Sequence, residues 1–300
     1  MLSCYKSVKR GEGEIGMYSY KNQVKNSGKY IKGRPECPSQ YINAVFVGDR
    51  SGSMYSMGSV PQEGAVQFMN KYKELAKKYE DALQIIVTIY TFDDEVEIPF
   101  SGNALWLVSS EQMYSEKVYS SMIPRGSTKL FDTAIQAIKK QQKDLDEYKH
   151  YIKTQCKEIR NLEPTYTSSF TLLTDGDDNC SMNTSQHLYN AIKKHEQEYN
   201  TSCFFAAANQ DAMYSGSSYG FTHENSLQIG NDIEQARAAF TSCTNAAMRS
   251  ATQERSGYSV AEREASADIN DYQIIESDSE NENDCYSYEY DGCDIVAERC

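Results

Sequence analysis

Asp49, Ser51 and Ser53 occupy alternate positions of the pentapeptide Asp49-Arg50-Ser51-Gly52-Ser53, directly behind the apolar run Ile42–Val47. A buried strand that ends this way projects one carboxylate and two hydroxyls from a single tight loop. Hard oxygen donors at that spacing suit a small divalent cation such as Mg²⁺, which prefers oxygen ligands in octahedral geometry. Two further segments offer the same chemistry. Gly126-Ser127-Thr128 precedes a helical pattern that starts near Leu130, and Thr174-Asp175-Gly176-Asp177-Asp178 follows the apolar run Phe170–Leu173. Taken singly, each is an ordinary polar turn or cap, with Ser127 or Thr128 a suitable N-cap. In an open α/β sheet, ligands gather at the carboxyl ends of the strands near the reversal of strand order. The ordered set of three therefore points to one oxygen-lined metal site.

The elements that must carry these loops are legible as periodicities. Ile42–Val47, Leu83–Phe92, Phe170–Leu173 and Cys203–Ala208 are apolar runs of strand length, and Val96–Phe100 alternates as an antiparallel edge strand does. Gln62–Lys78, Leu130–Lys143, Ser185–Tyr199 and Ile233–Ala251 show helical spacing, and the second continues as a polar pattern to about Ile159. Strands alternating with amphipathic helices predict a doubly wound, mostly parallel α/β sheet covered by helices on both faces.

In these three loops the chain resembles the von Willebrand factor type A family, and in particular its stand-alone bacterial and phage members. The likeness covers about residues 41–251 and extends to Ala208-Asn209-Gln210-Asp211-Ala212. It implies a metal-ion-dependent adhesion site in which Ser51 and Ser53 ligate Mg²⁺ directly, with Mn²⁺ or Ca²⁺ as alternatives. Thr128 joins directly or through water, and Asp49 and Asp175 act through water or orient the other ligands. A cation held by neutral hydroxyls keeps uncompensated charge and can accept an Asp or Glu carboxylate from a partner protein. The implied function is non-enzymatic, Mg²⁺-dependent protein binding, in some relatives beside an ATPase or within a larger assembly. Asp177 and Asp178 read as turn residues or outer-sphere groups. Arg50 reads as an exposed side chain that could draw an acidic partner.

Charge and cysteine usage bound the rest. The net charge of −13 is uneven: residues 1–40 carry +5 and residues 262–300 carry −11. We expect a basic irregular extension over 1–40, the α/β domain over 41–255 and an acidic, disordered tail over 262–300. The tail reads as a solubilising arm, or as an internal competitor for the metal site. No apolar run is long enough to span a bilayer, and the N-terminus lacks a secretory h-region. Nine scattered cysteines then read as reduced thiols in a cytoplasmic protein. Cys285, Cys293 and Cys300 are too widely spaced for a zinc knuckle, and no nucleic acid or membrane partner is expected.

Rival chemistries are weaker. Asp175–Asn179 begins like an EF-hand loop, but Cys180 stands where the glycine is required and Gln186 where the bidentate glutamate is required. Gly216-Ser217-Ser218-Tyr219-Gly220 matches a nucleophile elbow, with His223 nearby, so a hydrolase with Ser218 as nucleophile is the alternative function. That motif needs a strand before it and a helix after it. No phosphate-cradling P-loop is present, and with four histidines no clustered His/Asp motif supports a two-metal phosphoesterase.

Overall fold

Ile42, Ala44 and Phe46 face one side of β1 (Gln40–Asp49) and Val45 and Val47 face the other, and all five are buried. A strand apolar on both faces needs a helical layer on each side, and the computed structural model has both. It describes residues 40–79, 83–154, 165–252 and 257–267, and two short strands, β7 (Tyr286–Ser287) and β8 (Glu298–Arg299), which pair antiparallel. The basic extension, most of the acidic tail with Cys285, Cys293 and Cys300, and residues 155–159 at the end of the expected helical continuation lie outside the described residues.

The main sheet has six strands in the order β3-β2-β1-β4-β5-β6. They are β1, β2 (Leu83–Phe92), β3 (Val96–Asn103), β4 (Thr165–Thr174), β5 (Thr201–Ala208) and β6 (Ser226–Ile229). All neighbours pair in parallel except β3, which runs antiparallel to β2 at the edge. The expected doubly wound α/β architecture is the observed one.

On one face α1 (Val60–Lys78), α3 (Glu111–Ser121) and α7 (Ile233–Ala251) bury Phe68, Tyr72, Val118 and Phe240 against Ile42, Phe46, Val87 and Phe204. Gly64 of α1 lets α7 approach closely, since a Cβ there would collide with the Phe240 ring. On the other face α4 (Leu130–Thr154) and α5 (Ser185–Tyr199) set Leu130, Ile138, Leu188 and Ile192 against Val45, Tyr90, Phe170 and Phe205. A short α2 (Trp106–Ser109) precedes α3, and α6 (Ala212–Ser218) follows β5. Finally α8 (Val260–Ser266) packs beside β6: Gly230 N donates to Ser266 O at 2.7 Å, and Arg249 pairs with Glu262 at 2.8 Å. The described fold thus continues past residue 255 into a segment whose composition reads as acidic tail. Among the described residues no helix is long and apolar enough to cross a membrane.

Candidate functional site

β1 and β4 are adjacent in the sheet, yet the connections from them run to opposite sides. The crevice at their carboxyl ends is therefore the switch point of the fold. Asp49 closes β1 and is fully buried. Its Oδ1 accepts Ser51 N and its Oδ2 accepts Thr174 Oγ1, each at 2.7 Å, so one carboxylate ties the first loop to the end of β4. Burial pushes the Asp49 pKa up to about 6, against these bonds, which favour the ionised form.

The hydroxyls of Ser51 and Ser53 lie 3.0 Å apart, and they donate to Asp175 Oδ1 at 3.4 and 2.7 Å. Ser51 and Asp175 are buried and Ser53 is exposed, so the cluster opens to solvent through Ser53. Asp175 Oδ2 is buried without a hydrogen-bond partner. A buried carboxylate oxygen left in that state is costly, and burial raises the Asp175 pKa accordingly.

The second loop is stitched to the first by Arg125 N donating to Arg50 O at 2.7 Å and Gly52 N donating to Gly126 O at 3.2 Å. Gly126 has φ +66°, and a Cβ there would meet Asp93 and Asp94. Thr128 is buried, and its carbonyl accepts Asn179 N at 3.0 Å and Cys180 N at 3.3 Å from the third loop. Neither Ser127 nor Thr128 caps α4 through its side chain. The first-turn N–H groups of α4 go instead to Asp178 Oδ1 (from Phe131, 3.2 Å) and Ser181 Oγ (from Asp132, 3.0 Å). The cap comes from the third loop, and the Thr128 hydroxyl makes no hydrogen bond among the described residues.

All five residues of the sequence-derived set thus stand on three loops held together by hydrogen bonds. Their donor set fits a hard divalent cation: three hydroxyls, one of them uncommitted, and a buried carboxylate oxygen that lacks a partner. Among the described residues no group of three or more His, Cys, Asp or Glu is placed to hold a metal. A site here therefore depends on hydroxyl donors, which suits Mg²⁺ better than thiolate-seeking metals.

Several readings change. Arg50 is not an exposed lure: it is 2 % exposed, with Nη1 donating to Ser121 O at 2.9 Å and Nη2 to Asp93 Oδ1 at 3.3 Å. Strand alternation sends it away from Ser51, into the space between α3 and the β2–β3 turn. Asp178 is a cap and loop anchor, since its Oδ2 also accepts Ser181 N at 3.1 Å, whereas Asp177 is exposed without a hydrogen bond among the described residues. The nucleophile elbow does not form, because Ser218 ends α6 and donates to Ser215 O at 2.7 Å. Helix rather than strand leads directly into Ser218, and among the described residues no hydrogen bond joins it to His223.

Sequence reasoning missed a fourth supporting segment in its role. Asn209, in the left-handed region at φ +56°, donates from Nδ2 to Asp175 O at 3.3 Å, and Gln210 Nε2 reaches Gly176 O at 3.4 Å. Asp132 was missed as well, although it accepts Met182 N and Asn183 N at 3.1 and 2.9 Å and so pins the far end of the third loop. An acidic residue in a first helical turn was the available signal.

No family model and no curated protein matches this chain. Solved structures are similar at low identity. The vWF domain of the type V pilus tip protein Mfa5 from Porphyromonas gingivalis aligns over 75 % of this chain and 99 % of its own, with 9 % identity and a TM-score of 0.44. The SpRpn10 VWA domain aligns over 66 % of this chain and 91 % of its own, with 13 % identity and a TM-score of 0.39. Proximal thread matrix protein 1 from the mussel byssus, in a form described as having a zinc-occupied MIDAS motif, aligns over 68 % of this chain with 12 % identity and a TM-score of 0.37. The alignment spans about half of that protein's length, 47 % in another of its structures.

Proposed function

We propose that this chain is a von Willebrand A-type, non-enzymatic protein-binding module that uses a divalent cation, Mg²⁺ foremost, to recognise an acidic group on a partner protein. One observation carries the reading. The Ser51 and Ser53 hydroxyls meet Asp175 Oδ1 at the switch point, while the other oxygen of that carboxylate is buried without a hydrogen-bond partner. Ser51, Ser53 and Thr128 would hold the cation, while Asp49 and Asp175 would orient them and balance part of its charge. When bound, the cation supplies a Lewis-acidic position open to a carboxylate. This chain's residues do the rest. Asp49 and Thr174 fix the loop, and Ser53 keeps the mouth open to solvent. Tyr55, Met182 and Tyr214 are exposed on the segments that follow β1, β4 and β5, where they offer apolar contact around a bound side chain. A cytoplasmic setting belongs to the same proposal and rests on composition alone.

Mg²⁺ titration by calorimetry tests the reading. Wild type should bind, and Ser51→Ala, Ser53→Ala and Asp175→Ala should each weaken binding clearly. Affinity capture in Mg²⁺ but not in EDTA should then yield a partner whose Asp or Glu is required. Unchanged Mg²⁺ affinity in all three variants would overturn the proposal.

A further inference from the structure

Two strong cations flank the candidate site from outside its donor set, Arg50 within the first loop and Arg125 beside the second, and both converge on one buried carboxylate. Asp93, at the turn between β2 and β3, is 1 % exposed. Its Oδ1 accepts Arg50 Nη2 at 3.3 Å and Glu95 N at 2.7 Å, and its Oδ2 accepts Arg125 Nε at 2.6 Å. Its backbone carbonyl accepts Lys129 N at 2.9 Å, next to Thr128. Arg50 N donates to Phe92 O at 2.8 Å, so the first loop is also joined to the strand end that carries Asp93. Glu97 completes the cluster, 2.9 Å from Arg50 and 3.0 Å from Arg125. Burial alone would raise the Asp93 pKa, but the bonds from Glu95, Arg125 and Arg50 outweigh it and hold the carboxyl below its ordinary value.

From this geometry we infer that Asp93 is a positioning residue for the cation site, clamping the first and second loops through Arg50 and Arg125. The inference rests on the metal-site reading above. Two effects act in the same direction. The clamp sets the separation of Ser51 and Ser53 from Thr128, hydroxyls that come from different loops and have no direct bond to each other. It also neutralises Arg50, whose backbone joins Asp49 to Ser51 and whose buried guanidinium lies beside Asp93 and Ser121 O, a charge that would otherwise repel a divalent cation nearby. The guanidinium sits at the C-terminal end of α3, where Ser121 O faces it, so the helix dipole supports the same placement. Outer-shell partners of this kind typically govern metal affinity by about 10–100-fold.

The test measures Mn²⁺ affinity of the full chain by electron paramagnetic resonance, with Mn²⁺ as the probe. Asp93→Asn should weaken binding by about 10–100-fold, and Arg125→Met by less, because Arg50 keeps its partner. Leu145→Ala, a core truncation near the amino end of β1, controls for general destabilisation and should leave the affinity unchanged. If Asp93→Asn proves unfolded, Arg125→Met against Leu145→Ala decides. Wild-type affinity in Asp93→Asn, or in a folded Arg125→Met when Asp93→Asn is lost, would overturn the inference, as would an equal loss in Leu145→Ala. Ser53→Ala separates the two levels: if it loses Mn²⁺ while Asp93→Asn keeps it, the site stands and the clamp falls. If Ser53→Ala binds normally, both fall.

Discussion

Replacing Asp49 by Asn should stabilise the metal-free fold while removing cation binding. Asp49 is fully buried, and burial moves its carboxyl from 3.8 to about 6. A carboxyl raised in the folded state opposes folding only where the unfolded chain would already be ionised. Below 3.8 both states hold the proton and there is no penalty; the penalty grows towards about 6 and is constant above that. At about pH 7.5 the shift corresponds to at most about 3 kcal/mol of instability. Asn keeps the volume and still accepts from Ser51 N. Thr174 must then turn its hydroxyl to accept from the new amide, at a cost of about 1 kcal/mol. The net expectation in EDTA is a gain of about 1–2 kcal/mol at about pH 7.5, shrinking to a small loss near pH 4. Urea denaturation at the two pH values measures it. Added Mg²⁺ should stabilise wild type and leave the variant unmoved. A variant less stable than wild type at about pH 7.5 in EDTA, or one that still responds to Mg²⁺, would refute the reasoning.

Two further outcomes concern the scaffold. Asp178→Ala removes the carboxylate that caps α4 and holds Ser181 N, so it should cost about 1–2 kcal/mol and lower Tm by a few degrees in calorimetry. His195 is buried, with Nε2 donating to Gln141 Oε1 at 2.9 Å and Nδ1 lacking a partner. Burial, aided by Lys149, holds its pKa down to about 4 from 6.5. A histidine depressed by burial carries no penalty above 6.5, where both states are neutral; the penalty grows as pH falls towards 4, to about 3 kcal/mol, because only the unfolded chain takes the proton there. His195→Gln should flatten that limb of the denaturation profile relative to wild type, and parallel limbs would contradict this.

The parts of the fold that rest on apolar periodicity were legible in the sequence. Leu83–Phe92 was read to the residue, and β3 was placed at the antiparallel edge. The first half of β4 was not, because Thr167, Ser168 and Ser169 are buried polar residues. Their hydroxyls are satisfied only by distant partners, Ala251 O, Thr201 and Tyr72, which no local pattern reveals. The helix α8 was hidden by its charges, although Ser259 and Glu262 form a capping box that the sequence displays at the expected spacing. The three oxygen-bearing loops were readable because residue type and order carry their chemistry. The direction of Arg50 was not, since a cation among loop residues reads as exposed until its buried partner, Asp93, is placed by the neighbouring turn. The source of the α4 cap was likewise set by loop packing, which brings Asp178 across from another strand end.

The central claim is that Ser51, Ser53 and Thr128 share one divalent cation. Anomalous diffraction from crystals grown with Mn²⁺ tests this most directly. The account predicts one strong peak at the carboxyl ends of β1 and β4, within coordination distance of the three hydroxyl oxygens and absent in Ser53→Ala. A peak held elsewhere, or none at this crevice in ordered wild-type crystals saturated with Mn²⁺, would contradict it.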